Sequence, residues 1–362
     1  MNTGTHSLRK IRVLIVDDSL FMRAAIAKAL AQGPFEVVGQ AKDGHDALAQ
    51  IGRLAPDVVT MDFNMPGMTG ADAVRLVMQQ RPTPVVMFSA HTKQGAKETF
   101  DALAAGAVDF LTKPAGEVSV DLTRISDELT RKLIAAAQSR PRAANPPPTR
   151  PSGSSGSFPA MRSMPAMTSM AAASSPGIMP RLCVIGISTG GPAALSELIP
   201  ALAPDLRVAV VVVQHMPAGF TGPFAERLDA ASRIDVQEAR AGDRPMPGSV
   251  LIAPGDRHLE FDDRGVVTLT DGPLVNGCRP AADVTMMSAA RIYGRRALAV
   301  VMTGMGKDGA AGALAIKRAD GKTLAQDQAT SVIYGMPKAA IDAGAIDEVA
   351  ALGDIAAWLR YA

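Results

Sequence analysis

The chain has 362 residues, 47% hydrophobic and 20% charged, which is long enough for two domains with separate cores. Its net charge of +2 disfavours a broad nucleic-acid-binding surface, which would need clustered Lys and Arg. A polar N-terminus, two cysteines (Cys183 and Cys278) and no apolar run of roughly 20 residues predict a cytoplasmic protein with no signal peptide, disulfide framework or direct membrane insertion.

The first part of the chain alternates short apolar runs with amphipathic stretches. IRVLIV, EVVGQA, DVVTM, PVVMFS and AVDFL are typical of buried parallel strands. Between them, stretches such as LFMRAAIAKALAQ and GADAVRLVMQQ predict helices, and a last helix would end near Gln138. The pattern predicts a doubly wound α/β domain with a five-stranded parallel sheet over residues 9–138.

Residues 139–180 differ in composition from both flanking regions. Pro, Ser, Gly and Ala dominate, and no strand or helix period is sustained, which predicts a linker. Four methionines recur there every three residues, at Met161, Met164, Met167 and Met170. An unstructured segment is the favoured interpretation, and a strip that docks on a flanking domain is the alternative.

Residues 181–362 predict a second α/β domain. RLCVIGI, VAVVVVQH, VLIAP, ALAVVMTG and KTLAQD are strand-like, with helical stretches between several of them. HLEFDDRGVVTLTDG instead alternates polar and apolar residues around Asp263-Arg264-Gly265, which predicts a β-hairpin. We therefore expect a mainly parallel sheet with an antiparallel addition.

Five polar residues follow the predicted strands of the first domain. They are Asp17, Asp18, Asp62, Ser89 and Lys113. Because the carboxyl ends of parallel strands share one edge of the sheet, these side chains should converge. Three carboxylates close together repel one another unless a cation is bound, and oxygen ligands suit Mg²⁺. A lysine and a hydroxyl at the same point would neutralise a transferred phosphoryl group.

The alternative is that these acids cap helices. Asp18 or Ser19 could serve as an N-cap, but capping explains one acid and not the whole set.

Residues 11–114 resemble a two-component receiver domain over their whole length. The matching residues are VDDS (16–19), MDFNMP (61–66), Ser89-Ala90 and Lys113-Pro114. The resemblance implies that a histidine kinase phosphorylates Asp62. It also implies ligands for the Mg²⁺ that phosphorylation requires, namely the side chains of Asp17, Asp18 and Asp62 and the backbone carbonyl of Asn64.

The resemblance assigns further roles beside this centre. Ser89 would donate a hydrogen bond to the phosphoryl group, and Lys113 would pair with it. Phe110 occupies the family's aromatic switch position, and the Lys113–Pro114 peptide bond is expected to be cis.

Three loops of the second domain carry residues suited to nucleophilic catalysis. Ser188 lies in GISTGG between a strand and a helix, His215 ends the VAVVVVQ strand, and Asp308 lies in the glycine-rich loop after ALAVVM. All three follow carboxyl ends of strands, so a Ser-His-Asp triad can assemble there. The order Ser…His…Asp differs from that of α/β-hydrolases, which indicates a separate solution of the same chemistry.

Each of the three residues has an alternative role when taken alone. Ser188 could belong to a phosphate-binding loop, His215 could be structural, and Asp308 could cap the helix AAGALAIKRA. Three such residues at matching strand ends favour the triad. His45, His91 and His258 have no comparable context and are interpreted as surface or packing residues.

The second domain resembles the methylesterase domain of the chemotaxis protein-glutamate methylesterases. The match includes IGISTGGPAAL, VVVQHMPAGF, CRPAADV, MTGMGKDGAAGA and AQDQATSVIYGMPKAA. It implies that Ser188, His215 and Asp308 form the triad, with Thr189 beside the nucleophile and the Met305 N–H as an oxyanion donor. No cofactor is then needed for ester hydrolysis.

The same resemblance implies a substrate and a mode of regulation. The substrate would be a glutamate methyl ester on the cytoplasmic helices of a methyl-accepting chemoreceptor, hydrolysed with release of methanol. The same site could deamidate receptor glutamines. Phosphorylation of the receiver would relieve its occlusion of the active site.

Two other classes of function serve as alternatives. The C-terminal domain could be a binding module that holds a ligand without turnover, with GISTGG as a phosphate cradle. A DNA-binding output would need a helix-turn-helix and a basic face, and neither is evident after residue 180.

Overall fold

The computed structural model describes residues 9–90, 92–113, 122–139 and 180–362. His91, the Lys113–Pro114 peptide bond and nearly all of the 139–180 segment, with its methionines, lie outside these described residues. Within them the chain forms two parallel β-sheets flanked by helices, and a separate antiparallel strand pair. The predicted fold class is confirmed.

The N-terminal part forms a five-stranded parallel sheet. Its strands are β1 (Ile11–Val16), β2 (Phe35–Ala41), β3 (Val58–Asp62), β4 (Val85–Ser89) and β5 (Asp109–Thr112). Its helices are α1 (Leu20–Leu30), α2 (Gly44–Leu54), α3 (Gly70–Gln80), α4 (Lys93–Ala104) and α5 (Leu122–Gln138). The strand order is β2-β1-β3-β4-β5, so the direction of winding reverses after β2 and the edge beside β1 and β3 is open to a ligand.

Side-chain caps determine where four of these helices begin. Each cap accepts a hydrogen bond from the backbone N–H of the third residue of its helix, and the four caps are Ser19, Asp43, Thr69 and Thr92. Each cap satisfies one of the N–H groups that a helix leaves without an internal partner. The loops that follow the strands are therefore held in place from the helix side.

The C-terminal part is built on a larger sheet. Its strands are β6 (Arg181–Ile187), β7 (Val208–Gln214), β8 (Asp235–Glu238), β9 (Ser249–Ile252), β10 (His258–Phe261), β11 (Val267–Thr270), β12 (Ala297–Val301), β13 (Lys322–Gln326) and β14 (Glu348–Ala350). Its helices are α6 (Gly191–Ala201), α7 (Thr221–Ala231), α8 (Ala282–Tyr293), α9 (Ala310–Arg318), α10 (Gly335–Asp342) and α11 (Leu352–Tyr361), with a 3₁₀ turn at Gly294–Arg296.

Seven of these strands pair in parallel in the order β14-β13-β12-β6-β7-β9-β8. β10 and β11 form the predicted hairpin outside that sheet. The three strands that carry the predicted triad, β6, β7 and β12, are neighbours at the centre of the sheet. They are apolar and almost entirely buried, which gives the loops at their carboxyl ends a rigid support.

Two strands of this sheet were missed from the sequence, β8 and β14. Both lie at its edges, and both are short and partly exposed. An edge strand is paired on one side only and needs no continuous apolar run. The strand signal that identified the central strands is therefore weak in DVQE and EVA.

Helices α4 and α7 bring the two parts of the chain into contact. The Phe100 ring on α4 stacks on Phe224 of α7 with ring centroids 5.0 Å apart. The Phe110 ring on β5 stacks on Phe220 at 4.7 Å. All four rings are buried, so an apolar core joins the N-terminal part to the C-terminal part. None of the described helices is long and apolar enough to cross a bilayer.

Candidate functional site

The predicted acidic cluster forms at the carboxyl edge of the N-terminal sheet. Asp17 and Asp62 are buried and Asp18 is exposed, and one carboxylate oxygen from each lies within 4.8 Å of the other two. Lys113 Nζ lies 2.8 Å from Asp62 Oδ1 and 3.0 Å from Asp17 Oδ2. Asn64 lies two residues past Asp62 in the loop that follows β3. An all-oxygen set of this kind suits a hard divalent cation such as Mg²⁺.

Capping does not account for Asp18. The N-cap of α1 is Ser19, whose Oγ accepts a hydrogen bond from Met22 N, and Ser19 N donates to Asp17 Oδ1 at 2.9 Å. The Asp18 side chain is left exposed beside the two buried acids. The structure therefore leaves this carboxylate available as a ligand.

Burial dominates the electrostatics of Asp62. It raises the pKa of the Asp62 carboxyl, and the nearby Asp17 adds to the rise, while the Lys113 ammonium opposes it. The pKa of Lys113 is raised because Asp62 and Asp17 outweigh its own burial. One ammonium thus faces several carboxylates, and the site carries an excess of negative charge that a cation would relieve.

Ser89 does not point its hydrogen bond at Asp62 in this structure. Its buried Oγ donates to the Gly95 carbonyl on α4 at 3.0 Å and lies 2.6 Å from Thr99 Oγ1. The hydroxyl that was predicted to bind a phosphoryl group is thus engaged with α4. To reach a group on Asp62 it would have to release that helix.

In the C-terminal sheet, the turn after β6 presents Ser188. Gly190 adopts a φ of +79° and Gly191 N donates to Ser188 O at 2.7 Å, which turns the chain sharply into α6. Gly304 of the loop after β12 lies so close that an added Cβ would be 2.8 Å from Ser188 Cβ. Glycine is required there because the loop must pass directly beside the serine.

The loop after β7 lies against this turn. His215 N donates to Ile187 O at 3.1 Å. The Gln214 amide donates to both Ser188 O and His215 O, each at 3.1 Å. These bonds hold the carboxyl ends of β6 and β7 together, so the backbones of Ser188 and His215 lie side by side.

His215 and Asp308 form a buried pair. His215 Nε2 lies 2.7 Å from Asp308 Oδ2. The other ring nitrogen, Nδ1, faces Cys278 Sγ at 3.5 Å. Burial works against the protonated ring, but the hydrogen bonds that the ring makes with Asp308 and Cys278 outweigh it and raise the pKa of His215 to about 10. The Ser188 hydroxyl makes no hydrogen bond to any residue that the structure describes.

Asp308 does not cap the helix that follows it. The N-cap of α9 is Gly309, which makes no side-chain bond, and Asp308 instead accepts from the backbone N–H groups of Ala282 and Asp283 at the start of α8. In turn, Asp283 Oδ1 accepts from Gly312 N in the first turn of α9, at 2.7 Å. Each acid therefore satisfies the free N–H groups of the neighbouring helix, which orients Asp308 towards His215.

Four residues of the site escaped sequence-based prediction, although three of them lie in the quoted segments CRPAADV and VVVQHMPAGF. They are Asn276, Cys278, Asp283 and Gln214. The Asn276-Gly277 pair was the available signal, because Asn-Gly favours a tight turn. His45 is exposed and His258 is buried among hydrogen-bonding backbone groups, as expected of surface and packing residues.

The N-terminal part reaches the residue beside Ser188. Thr189 Oγ1 donates to Asp109 Oδ2 at 2.6 Å, and Lys132 Nζ lies 3.0 Å from Asp109 Oδ1. Thr189 and Asp109 are both buried. A hydrogen bond therefore links the acidic-cluster half of the chain to the turn that presents Ser188.

Two protein-family models match the chain. The CheB methylesterase model matches residues 183–359, and the response regulator receiver domain model matches residues 13–122. The chain is 45% identical, over 96% of both chains, to a protein-glutamate methylesterase/protein-glutamine glutaminase of Symbiobacterium thermophilum. The chain belongs to the CheB methylesterase family.

Another full-length relative and a solved catalytic domain also match the chain. A protein-glutamate methylesterase/protein-glutamine glutaminase of Pyrococcus abyssi is 44% identical over 96% of this chain and 92% of its own. The crystal structure of the Thermotoga maritima CheB methylesterase catalytic domain is 43% identical, covers 51% of this chain and 99% of its own, and has a TM-score of 0.49. The two family models and the full-length relatives show that the chain is a chemotaxis methylesterase with a response regulator receiver domain.

Proposed function

We propose that this methylesterase hydrolyses glutamate methyl esters on the cytoplasmic helices of methyl-accepting chemoreceptors and releases methanol. The observation that carries the proposal is the His215–Asp308 pair, with Nε2 and Oδ2 2.7 Å apart, beside the turn that presents Ser188. A buried acid that orients a histidine next to a serine is the arrangement of a serine hydrolase. No cofactor takes part in this chemistry.

In the proposed reaction, Ser188 Oγ attacks the ester carbonyl as His215 takes its proton. Because Nε2 is engaged with Asp308, the proton would go to Nδ1, which would first have to give up its contact with Cys278 Sγ, and the Ser188 hydroxyl would have to rotate towards it. The imidazolium then gives the proton to the leaving methoxide. Water, activated by the same histidine, releases the glutamate and restores Ser188.

The Met305 N–H is the proposed oxyanion donor. It donates to no residue within the described ranges, and Gly304, its neighbour in the chain, packs against Ser188. A free N–H beside a nucleophile can stabilise charge that develops on the carbonyl oxygen. The amide of a receptor glutamine presents the same carbonyl, so we propose deamidation at this site as well, with ammonia as the leaving group.

We propose that a chemotaxis histidine kinase phosphorylates Asp62. The side chains of Asp17, Asp18 and Asp62 and the Asn64 carbonyl would hold Mg²⁺, which when bound neutralises charge on the transferred phosphoryl group. Lys113, which already contacts Asp62, would pair with that group. Ser89 would turn from α4 to donate to it.

We propose that the receiver inhibits the esterase until it is phosphorylated. Asp109 holds Thr189 beside the nucleophile, and the Phe110 ring stacks on Phe220. Ser89 bonds α4, and α4 carries Phe100 into the interface. Turning Ser89 towards a phosphoryl group would release α4 and loosen the contact that covers the active site.

The chain is divided into two domains and a linker in this proposal. We propose a receiver over residues 9–138, a linker over 139–180 and a catalytic domain over 181–362, in a cytoplasmic protein. Helix α4 carries Phe100 into the interface, so a change at α4 can shift the balance between covered and open states.

The test is methanol release from methylated chemoreceptor membranes. The full chain, with and without a small-molecule phosphodonor and Mg²⁺, is compared with Ser188→Ala and Asp62→Asn. Release should rise on phosphorylation, fall by at least about three orders of magnitude in Ser188→Ala, and stay at the basal level in Asp62→Asn. Undiminished activity in Ser188→Ala would remove Ser188 from the mechanism.

A serine-reactive phosphonate separates the esterase from a binding module. The full chain should be labelled at Ser188, and labelling should increase after phosphorylation because the turn becomes accessible. A binding module would stay unlabelled in both states.

A further inference from the structure

A tight turn at residues 275–278 brings side chains to the His215–Asp308 pair. Val275 N donates to Cys278 O at 3.1 Å and Cys278 N donates to Val275 O at 2.9 Å. Between them, Asn276 and Gly277 adopt φ values of 53° and 76°. Asparagine and glycine are the residues that accept this backbone conformation most readily, so the turn is determined locally by the Asn-Gly pair.

The Asn276 amide lies between two carboxylates. Its Nδ2 donates to Asp283 Oδ2 at 2.8 Å and to Asp308 Oδ1 at 3.1 Å. Both acids are buried, and like charges this close disfavour each other. The amide thus donates one N–H hydrogen to Asp308, which contacts the histidine, and the other to Asp283, which lies behind Asp308.

The segment around the turn is anchored on both sides. Before the turn, the Arg279 guanidinium donates to the Gly272 carbonyl at 2.8 Å, and His258 Nε2 donates to the Pro273 carbonyl at 3.0 Å. After it, Ala281 N donates to His258 Nδ1 at 3.3 Å. The turn is therefore held in place before any substrate arrives, and Asn276 is presented to the two acids without rearrangement.

We propose that Asn276 is a positioning residue of the esterase, whose amide holds the Asp308 carboxylate in line with His215 and shields it from Asp283. This inference rests on the proposed function. The titratable groups that face the imidazole are Asp308 and Cys278, with Asp283 behind Asp308. By sharing the negative charge of Asp308, the amide weakens its pull on the imidazolium and so lowers the pKa of His215.

Two substitutions distinguish the effect of the Asn276 amide from the effect of the backbone turn that carries it. Asn276→Asp preserves the size of the side chain, and aspartate also tolerates positive φ. The substitution replaces the amide donor with a third carboxylate. Asn276→Gly removes the side chain and keeps the backbone conformation. The control is Asp320→Gly, because Asp320 has a φ of 59° and is exposed past the far end of α9.

The measurement is an NMR pH titration of the imidazoles in the isotope-labelled full chain, with the His215 signal assigned by its loss in His215→Gln. The titration midpoint of His215 should move to higher pH in both variants, and further in Asn276→Asp. The rising limb of kcat against pH should move with it. At pH 7, kcat should fall roughly ten-fold, the size of one hydrogen bond to a charged group, with KM unchanged. Asp320→Gly should show neither change.

An unmoved His215 midpoint in both folded variants would overturn the proposal, whatever happens to the activity. If Asn276→Gly fails to fold, the isosteric Asn276→Asp decides alone. The titration needs no substrate, so it remains decisive even if the full chain releases no methanol. That result would count against the proposed function and not against the placement of Asn276.

Discussion

Asp62 and Asp308 are both buried carboxylates at the carboxyl end of a parallel sheet, yet their pKa values move in opposite directions. Burial raises the pKa of Asp62, and the Lys113 ammonium does not reverse the rise. Burial also acts on Asp308, but the hydrogen bonds from His215 and from the N–H groups of Asp283 and Ala282 outweigh it and hold the pKa of Asp308 below its usual range.

The difference lies in the hydrogen-bond donors that the protein supplies. Asp308 accepts from His215, two backbone N–H groups of α8 and the Asn276 amide. Donors fixed in this way stabilise a permanent anion, which suits an acid that orients a histidine. Asp62 has Lys113 and two neighbouring acids, so its charge is compensated only when a cation or a phosphoryl group arrives.

The largest effect is expected from Asp308→Asn. Without the carboxylate, the imidazole loses its orientation and kcat should fall by about 10³- to 10⁴-fold. The hydrogen bonds that His215 makes with Asp308 and Cys278 raise its pKa to about 10 despite its burial. The neutral imidazole, which is the base in the reaction, therefore accumulates only as pH rises towards that value. The substitution lowers that pKa, so the rising limb of the kcat/KM profile should shift to lower pH.

The matched control for this change is Asp320→Asn, at the exposed far end of α9. It should reproduce the native profile. A native pH limb in Asp308→Asn would show that His215 is not the group that titrates.

An intermediate effect is expected from Mg²⁺ on stability. Since burial raises the pKa of Asp62 above its unfolded-state value, ionisation of this carboxyl costs stability, and the cost builds up as pH rises from the unfolded-state pKa to the folded-state pKa. A bound cation offsets it. At a Mg²⁺ concentration ten times the dissociation constant, the receiver's unfolding transition should gain about 1.4 kcal/mol in thermal denaturation.

Asp18→Asn should reduce that gain, and Asp127→Asn, on the exposed side of α5, should not. Equal gains in the two variants would place the cation away from the acidic cluster. EDTA should also abolish stimulation by a phosphodonor and leave basal ester hydrolysis unchanged.

The smallest effect is expected at the rim of the interface between the two parts. Arg227 Nη1 lies 2.7 Å from Asp101 Oδ1, and both side chains are partly exposed. Such a pair contributes about 0.2–1 kcal/mol, so Arg227→Ala should raise the activity of the unphosphorylated chain by at most about five-fold. Arg233→Ala, just past the same helix, is the control.

A double-mutant cycle sharpens this result. Asp101→Ala should match Arg227→Ala, and the double variant should exceed neither, because both changes remove one interaction. Fully additive effects would mean that the ion pair does not hold the receiver against the esterase.

The sequence by itself determined the architecture and predicted the candidate reactive residues. Apolar runs identified the central strands, and polar residues at the ends of those strands identified Asp62, Ser188, His215 and Asp308. This works because parallel strands bring their carboxyl ends to a common edge whatever their separation along the chain. The edge strands β8 and β14 were missed because a one-sided strand carries little apolar signal.

Only the tertiary structure decided how those residues are connected. Asp308 accepts hydrogen bonds from α8 and not from the helix that follows it, and Asn276 donates to two acids. Thr189 donates to Asp109. All of these bonds depend on contacts between distant segments. A hydrogen bond is set by the packing that places donor and acceptor within about 3 Å, and local sequence preference does not encode that distance. The sequence thus predicted which groups are candidates to react, and packing specified which neighbours contact them.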